Sequence, residues 1–391
     1  MKAGWEEVAL GEVTQSINGL WKGKKPPFRK ARVLRNTNFR SHGKLSLDDV
    51  AEIEVQVSQF AKRKLQKGDI ILERSGGGPK QPVGRVAYFN EDGDDFSFSN
   101  FTSVIRVSDQ RLDPRYLLQV LNGWHYLGET EKLQKRSTGI RNLRFAEYKA
   151  KIIPLPPLEE QKRIVAVLDA AFAKLDRARA NVEANLADAE DLSVQLLAET
   201  FSKTVAYVEL SKETDIISGQ HILAADYNTD GRGIGYLTGP SDFGARHPVV
   251  SKWTQSPKRT ALPGDVLVTV KGSGVGSANI LTGGETAISR QLMALRPKRL
   301  PHDILFALLK SNYGRLQSMA TGAAIPGLSR GQIGSIEIPI IEATEYEGLA
   351  NKISAFEDAI ASFQSKFNHQ LADLDALRQS LLQRAFAGEL T

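Results

Sequence analysis

The chain has 391 residues, with Lys+Arg 51 against Asp+Glu 45 (net +6), 41% hydrophobic and 25% charged residues; that length exceeds one small core and points to two or more domains. It contains no cysteine, which excludes a disulfide framework, a thiol nucleophile, Cys-ligated zinc and iron–sulfur clusters. The six histidines stand at least 26 positions apart, no apolar run nears the roughly 20 residues of a membrane span, and Met1–Glu7 lacks the apolar core of a signal peptide, so a soluble, cytoplasmic protein is expected.

Residues 1–153 hold 27 basic and 18 acidic side chains. Between Glu12 and Asp48 there are nine basic residues and no acid, with Trp21, Phe28, Asn36 and Asn38 interleaved. Arg and Lys bind phosphates, and Arg and Asn also read base edges. Lys22, Lys24, Lys25, Arg29, Lys30, Arg32 and Arg35 are therefore candidate DNA contacts, followed by Arg74, Lys80 and Arg85 about the glycine-rich Ser75–Pro79. A second acid-free stretch, Lys132 to Ala146, adds Lys135, Arg136, Arg141, Asn142 and Arg144. The Lys22–Lys25 cluster suits phosphates. Arg141 and Arg144 suit base reading, the alternative being that they brace the helix that follows.

Catalytic motifs are missing here. Lys25-Pro26-Pro27-Phe28 resembles the Asn/Asp-Pro-Pro-aromatic motif of amino-methyltransferases, but lysine cannot accept the hydrogen bond that Asn or Asp accepts. Asp113-Pro114-Arg115-Tyr116 has arginine where the second proline should stand. No P-loop, Gly-x-Ser-x-Gly turn or paired metal-binding carboxylates occur, so no catalytic, metal or cofactor residues are expected.

Residues 154–203 hold 6 basic and 9 acidic side chains. Pro156-Pro157 and Glu159-Glu160 suit a helix start. Leu168, Leu175, Val182, Ala189 and Leu196 then recur every seven residues beside Ile164, Ala171, Ala178, Asn185 and Leu192, which argues a coiled-coil seam.

Residues 204–340 return to a basic balance, 14 against 10. Arg246, His247, Lys252, Trp253, Lys258 and Arg259, then Lys271, Arg290 and Arg330, are this segment's candidate DNA contacts. Gly272–Gly276 could form a nucleotide-binding turn only if a helix followed. Ser277–Gly284 reads instead as a strand and turn, so a tight hairpin near a phosphate is favoured. Residues 341–391 hold 4 basic and 8 acidic side chains. Their seam is Leu349, Ile353, Phe356, Ile360, Phe363, Phe367, Leu374, Leu377 and Leu381, and Gly388 suits the helix stop. Each long helix finds its simplest partner in the other. Asn185 and Gln370 share a layer, either as register-fixing core amides or as partly exposed ones.

The chain is a tandem repeat. Leu186-Ala187-Asp188 recurs as Leu371-Ala372-Asp373, and at the same offset of 185 Pro154 meets Pro339, Leu196-Leu197 meets Leu381-Leu382 and Phe201 meets Phe386. Upstream the match is looser: Gly68-Asp69-Ile70-Ile71-Leu72 resembles Gly264-Asp265-Val266-Leu267-Val268, and Val83-Gly84 resembles Val275-Gly276. Each copy is thus a variable globular domain followed by a fixed helix.

Ile153-Pro154-Leu155-Pro156-Pro157-Leu158-Glu159-Glu160-Gln161-Lys162-Arg163-Ile164 resembles the signature that opens the central helix of Type I restriction-modification specificity subunits. Leu381-Leu382-Gln383-Arg384-Ala385-Phe386-Ala387-Gly388-Glu389-Leu390 resembles the C-terminal signature, and Thr138-Gly139 and Thr321-Gly322 fit the domain ends. The resemblance implies an α+β fold: target recognition domains at 1–153 and 204–340, and spacer helices at 154–203 and 341–391 forming an antiparallel coiled coil. It also implies a non-catalytic subunit that reads a split double-stranded DNA target. Two methyltransferase (modification) subunits would use S-adenosylmethionine, and two motor-nuclease (restriction) subunits ATP and Mg. The alternatives are a two-domain repressor and a divergent stand-alone methyltransferase.

Overall fold

The computed structural model describes the chain apart from residues 1, 3, 41–42, 79–80, 94, 138–139, 202–205, 273, 322–325 and 391 and the side chains of 136 and 137. Two compact units result, residues 1–181 with 370–391 and residues 182–369.

In the first unit a four-stranded antiparallel sheet runs in the order Thr14–Asn18, Thr102–Val107, Ile70–Glu73, Val86–Tyr88. All four residues of Ile70–Glu73 are buried, because the strand is covered on both faces. Ile70 and Leu72 join the core beneath helix Pro114–Tyr126, whereas Ile71 joins Leu34, Phe89, Phe98 and Val104 on the other side. A strand covered on both sides reads as a continuous apolar run. A second sheet orders Ala51–Gln56, Phe28–Leu34 and Phe96–Phe98, the last two parallel. The hairpin Gln134–Ser137/Ile140–Leu143 adds to Ser75–Gly77, and Glu6–Ala9 pairs with Ile152–Leu155.

The second unit repeats this plan. Its main sheet orders Thr214–Ser218, Leu292–Pro297, Val266–Thr269 and Ala278–Ile280, and Tyr207–Glu209 pairs with Glu337–Pro339. Its second sheet again holds one parallel pair, Ile234–Leu237 with Thr286–Ile288. The repeat extends to single atoms. Gly68 and Gly264 turn at φ 96° and 89°, a conformation glycine adopts without penalty. The next carboxylates, Asp69 and Asp265, accept the backbone N–H of Gln66 and Leu262, each at 2.8 Å. Each also receives a two-pronged arginine, Arg106 at 2.7 and 2.7 Å and Arg296 at 2.9 and 2.8 Å. The Gly-Asp motif is therefore structural. Equivalent residues are offset by 200 at Thr14/Thr214, 196 at Asp69/Asp265, 190 at Arg106/Arg296 and 185 in the helices, so the second copy has shorter loops between the same strands.

The helix Leu158–Phe201 has 44 residues and Tyr346–Ala387 has 42. The Pro-Pro-x-Glu-Glu-Gln run is a joint. Buried Gln161 donates to the carbonyls of Arg111 and Pro156 and accepts from the Asp113 N–H, each at 2.8 Å. Glu160 accepts Lys2 Nζ at 2.6 Å and the Trp5 indole at 3.2 Å. The second helix, without that run, starts after a 3-10 turn Ala343–Glu345, and Gly388 ends it at φ 80°.

Within the first unit the helices are antiparallel: Arg378 pairs with Asp176 and Arg179 with Asp375, so one number rises by three as the other falls by three. Within the second unit Gln364 meets Glu190 in the same sense.

The heptad seam needs correction at three of its residues. Ile164, Leu168, Leu175 and Ile353 are buried, and Val182, Leu196, Leu349, Phe356, Ile360, Phe367, Leu374 and Leu381 are half-buried. Leu192, Phe363 and Leu377 are 50%, 50% and 49% exposed, while Phe172, Leu197, Leu382, Ala385 and Arg378 are buried. The series Leu168, Leu175, Val182, Ala189, Leu196 and Ile353, Ile360, Phe367, Leu374, Leu381 is covered throughout, so the exposed members all belong to the companion series. Asn185 and Gln370 are both exposed, so they are not core amides. Among the described residues no helix is long and apolar enough to cross a membrane.

Candidate nucleic-acid interface

In the first unit four loops meet along one rim. The Leu20 N–H donates to the Phe98 carbonyl at 2.8 Å, those of Arg74 and Ser75 to the Phe101 carbonyl at 2.9 and 3.1 Å, and that of Leu143 to the Arg74 carbonyl at 2.9 Å. The chain after Asn18, the turn at Asn100, the Ser75–Gly77 strand and the 134–143 hairpin are thereby stitched together. Trp21, Phe101 and Ile140 lie on this rim 63%, 47% and 50% exposed. Lys22, Lys24, Lys25 and Lys135 are exposed on the same loops, as are Lys30 and Phe28 on the adjoining strand. Exposed aromatics among lysines suit a ligand with phosphates and flat bases.

The second unit rebuilds three of these four bonds. The Gln220 N–H donates to the Ile288 carbonyl at 2.9 Å, Val270 to Gln291 at 2.8 Å and Leu328 to Val270 at 2.9 Å. Lys258 donates to the His221 carbonyl at 3.3 Å. Lys258, Arg259, Lys271 and Arg290 are exposed, as is Arg330 at the start of helix Arg330–Gly334.

Several candidate arginines are already engaged. Arg85 grips buried Glu73 at 2.8 and 3.0 Å. Arg141 pairs with Glu131 at 3.2 Å. Arg144 precedes helix Phe145–Ala150, pairs with Glu147 of its first turn at 2.9 Å and donates to the Lys132 carbonyl at 2.6 Å, the bracing arrangement. Asn142 accepts the Ser75 hydroxyl at 2.6 Å. Arg35 lies 3.7 Å from Asp49, and Arg29 and Arg32 lie 4.1 and 4.2 Å over the rings of Phe60 and Phe96. In the second unit Arg246 is held by Asp303 and Glu357. His247 Nδ1 is 3.0 Å from the Ile280 carbonyl, Lys252 sits over Tyr227, and half-buried Trp253 is a strand residue. Lys80 lies outside the described residues, and so does the side chain of Arg136.

Arg74 differs from these. Its guanidinium lies 4.3 Å over Phe145 and donates to Asn18 Oδ1 at 2.7 Å and Ser103 Oγ at 3.1 Å, with no carboxylate partner among the described residues. Burial holds its pKa below the ordinary arginine value. Its counterpart in the second copy is Val270, so the two rims differ in chemistry while sharing a backbone. Sequence reasoning missed Phe101 and Ile140, single apolar residues with no pattern around them. It also missed Gly19 and Gly219, whose common position after the first strand of each main sheet was the available signal. Among the described residues no three His, Asp or Glu side chains are grouped to hold a metal ion.

Residues 2–184 match the family described as Type I restriction modification DNA specificity domain. A putative Type I restriction enzyme specificity subunit, MjaX, of Methanocaldococcus jannaschii is 22% identical over 379 residues, 91% of this chain and 87% of that protein. The EcoBI specificity subunit of Escherichia coli is 26% identical over 191 residues, 47% of this chain and 37% of that protein. Among solved structures, a chain described under complex assembly and conformational transition of the type I R-M system has TM-score 0.75 and 27% identity, covering 100% of this chain and 99% of that one. The HsdS subunit from Thermoanaerobacter tengcongensis has TM-score 0.50 and 26% identity, covering 100% and 98%.

Proposed function

The chain belongs to the family of Type I restriction-modification specificity subunits, and from that membership we propose that each of its two rims reads one half of a bipartite DNA target. As a specificity subunit it is non-catalytic. Residues 1–153 and 204–340 serve as the recognition domains, and 154–203 and 341–391 as the helices that set the gap between half-sites. Two modification subunits supply S-adenosylmethionine and the adenine chemistry. Two restriction subunits supply ATP- and Mg-dependent translocation and cleavage, all in the cytoplasm.

The observation that carries this reading is the rim built twice from the same backbone bonds with different side chains on it. Lys22, Lys24, Lys25 and Lys135 hold phosphates at the first rim, and Lys258, Lys271 and Arg290 at the second. Co-expression with the modification subunits, followed by mapping of methylated adenines, tests it. Two half-sites separated by a fixed gap are expected, and the purified single chain with labelled S-adenosylmethionine should methylate nothing. Methylation by the single chain, or a continuous rather than split target, would sink the reading.

A further inference from the structure

Helix positions related by the offset of 185 carry different chemistry in the two units. In the first, Arg378 is 4% exposed, lies 4.2 Å over the Phe172 ring and donates to Asp176 at 2.5 Å. Asp176 also receives Lys44 Nζ, from the recognition domain, at 3.2 Å. The counterparts of Phe172, Asp176 and Arg378 in the second unit are Glu357, Ala361 and Ser193, and these line a cavity of about 750 Å³. Into it reaches Arg246, from the recognition domain. Its guanidinium pairs with Glu357 of the long helix and Asp303 of helix His302–Ser311, 5.4 Å from the centre of the Phe306 ring. Each unit thus ties its recognition domain to a long helix by a domain cation on a helix carboxylate. The two carboxylates sit one turn apart in equivalent positions.

The ties differ in strength. The Lys44 side chain is 69% exposed and among the described residues makes one ion pair, a setting in which water and salt leave an ion pair worth little. The side chains of Arg246 and Glu357 are 31% and 20% exposed, and the rigid arginine fork engages two carboxylates at once. A phosphate approaching Arg246 meets those carboxylates beside it.

We infer that Arg246 is a positioning residue: it fixes the second recognition domain on the helix Tyr346–Ala387 and so sets how strictly the gap between half-sites is measured. This rests on the DNA-recognition reading above. The test uses the complex of this chain with its modification subunits. Binding is measured to duplexes with the mapped gap, with gaps one base pair shorter and longer, and with single-base changes in each half-site, across a salt series. A wild-type complex that recognises no split target would defeat the recognition reading itself, whatever Arg246 does. For Arg246→Met, a roughly tenfold loss of preference for the mapped gap is expected, within the usual range of coupling between sites, with base discrimination in both half-sites unchanged. Arg246→Lys should retain most of the preference, and Lys44→Met should lose less than Arg246→Met. Glu357→Gln removes the same tie without removing a cation, and should loosen the gap alike. It also decides the matter if Arg246→Met fails to fold. The inference is overturned if Arg246→Met relaxes one base position, or weakens all duplexes equally with a salt slope lower by about 1. It is equally overturned if Glu357→Gln keeps the wild-type gap preference.

Discussion

A Cβ built on Gly19 would stand 1.8 Å from the Ser99 carbonyl oxygen, and one on Gly219 2.1 Å from that of Ser289. Both contacts are to backbone, so neither can be relieved by a rotamer change. Gly219→Ala must push the second rim open, at a cost above about 1 kcal/mol. Methylome mapping should show the second half-site degraded and the first intact, with Gly19→Ala showing the reverse. His125 offers a different probe. Burial, helped by Arg85, holds its pKa down to about 4, whereas the unfolded chain takes up this proton near pH 6.5. The depressed value makes the neutral ring a folded-state asset above about pH 6.5. Stability should fall as pH drops from there toward 4, by about 3 kcal/mol. Urea unfolding of wild type and His125→Phe across pH 4–8 should show this component only in the wild type.

Among the elements, the helix pair shows why a buried cation needs its partner more than its position. Arg378 sits in the apolar stripe of the second long helix, between the Phe172 ring and Asp176. Removing the carboxylate strands a buried charge, so Asp176→Ala should cost about 3–5 kcal/mol. Arg378→Met keeps the volume and leaves Asp176 with Lys44, so its cost should be much smaller. Chemical denaturation of both variants checks the ranking, and a larger loss for Arg378→Met would contradict it. Arg378 stands in the covered stripe, while its neighbour Leu377 is 49% exposed.

For the whole molecule, two basic segments alternate with two acidic helices, 27 to 18 and 14 to 10 against 6 to 9 and 4 to 8. Basic patches gather phosphate ligands and acidic helices repel them, which favours DNA on the rims and away from the helices. If the helices set the gap, lengthening both should lengthen it. Four residues inserted after Asn181 and four after Ala372, which continue the antiparallel count of Arg179 with Asp375, add about 6 Å at 1.5 Å per residue. That is roughly two base pairs of 3.4 Å. Methylome sequencing should return the same half-sites with the longer gap, and an unchanged gap in a folded, active complex would end the ruler idea.

The sequence by itself determined the repeat, the two long helices, the charge alternation and the recurring Gly-Asp turn, because each is written in local composition or at a nearly constant offset. The helix start after Pro156-Pro157 was legible too, but the partners of Gln161 and Glu160, which are Arg111, Asp113, Lys2 and Trp5, come from elsewhere in the chain. Tertiary structure alone decided which cations are available. Arg85, Arg141, Arg144 and Arg246 stand in basic stretches as plainly as Lys22 or Lys258 do. Their partners Glu73, Glu131, Glu147, Asp303 and Glu357 lie 3 to 111 residues away, and most arrive only when strands and helices pack. A guanidinium's availability is set by the carboxylate that reaches it first, and where that carboxylate comes from another element the fold, rather than the local sequence, decides it.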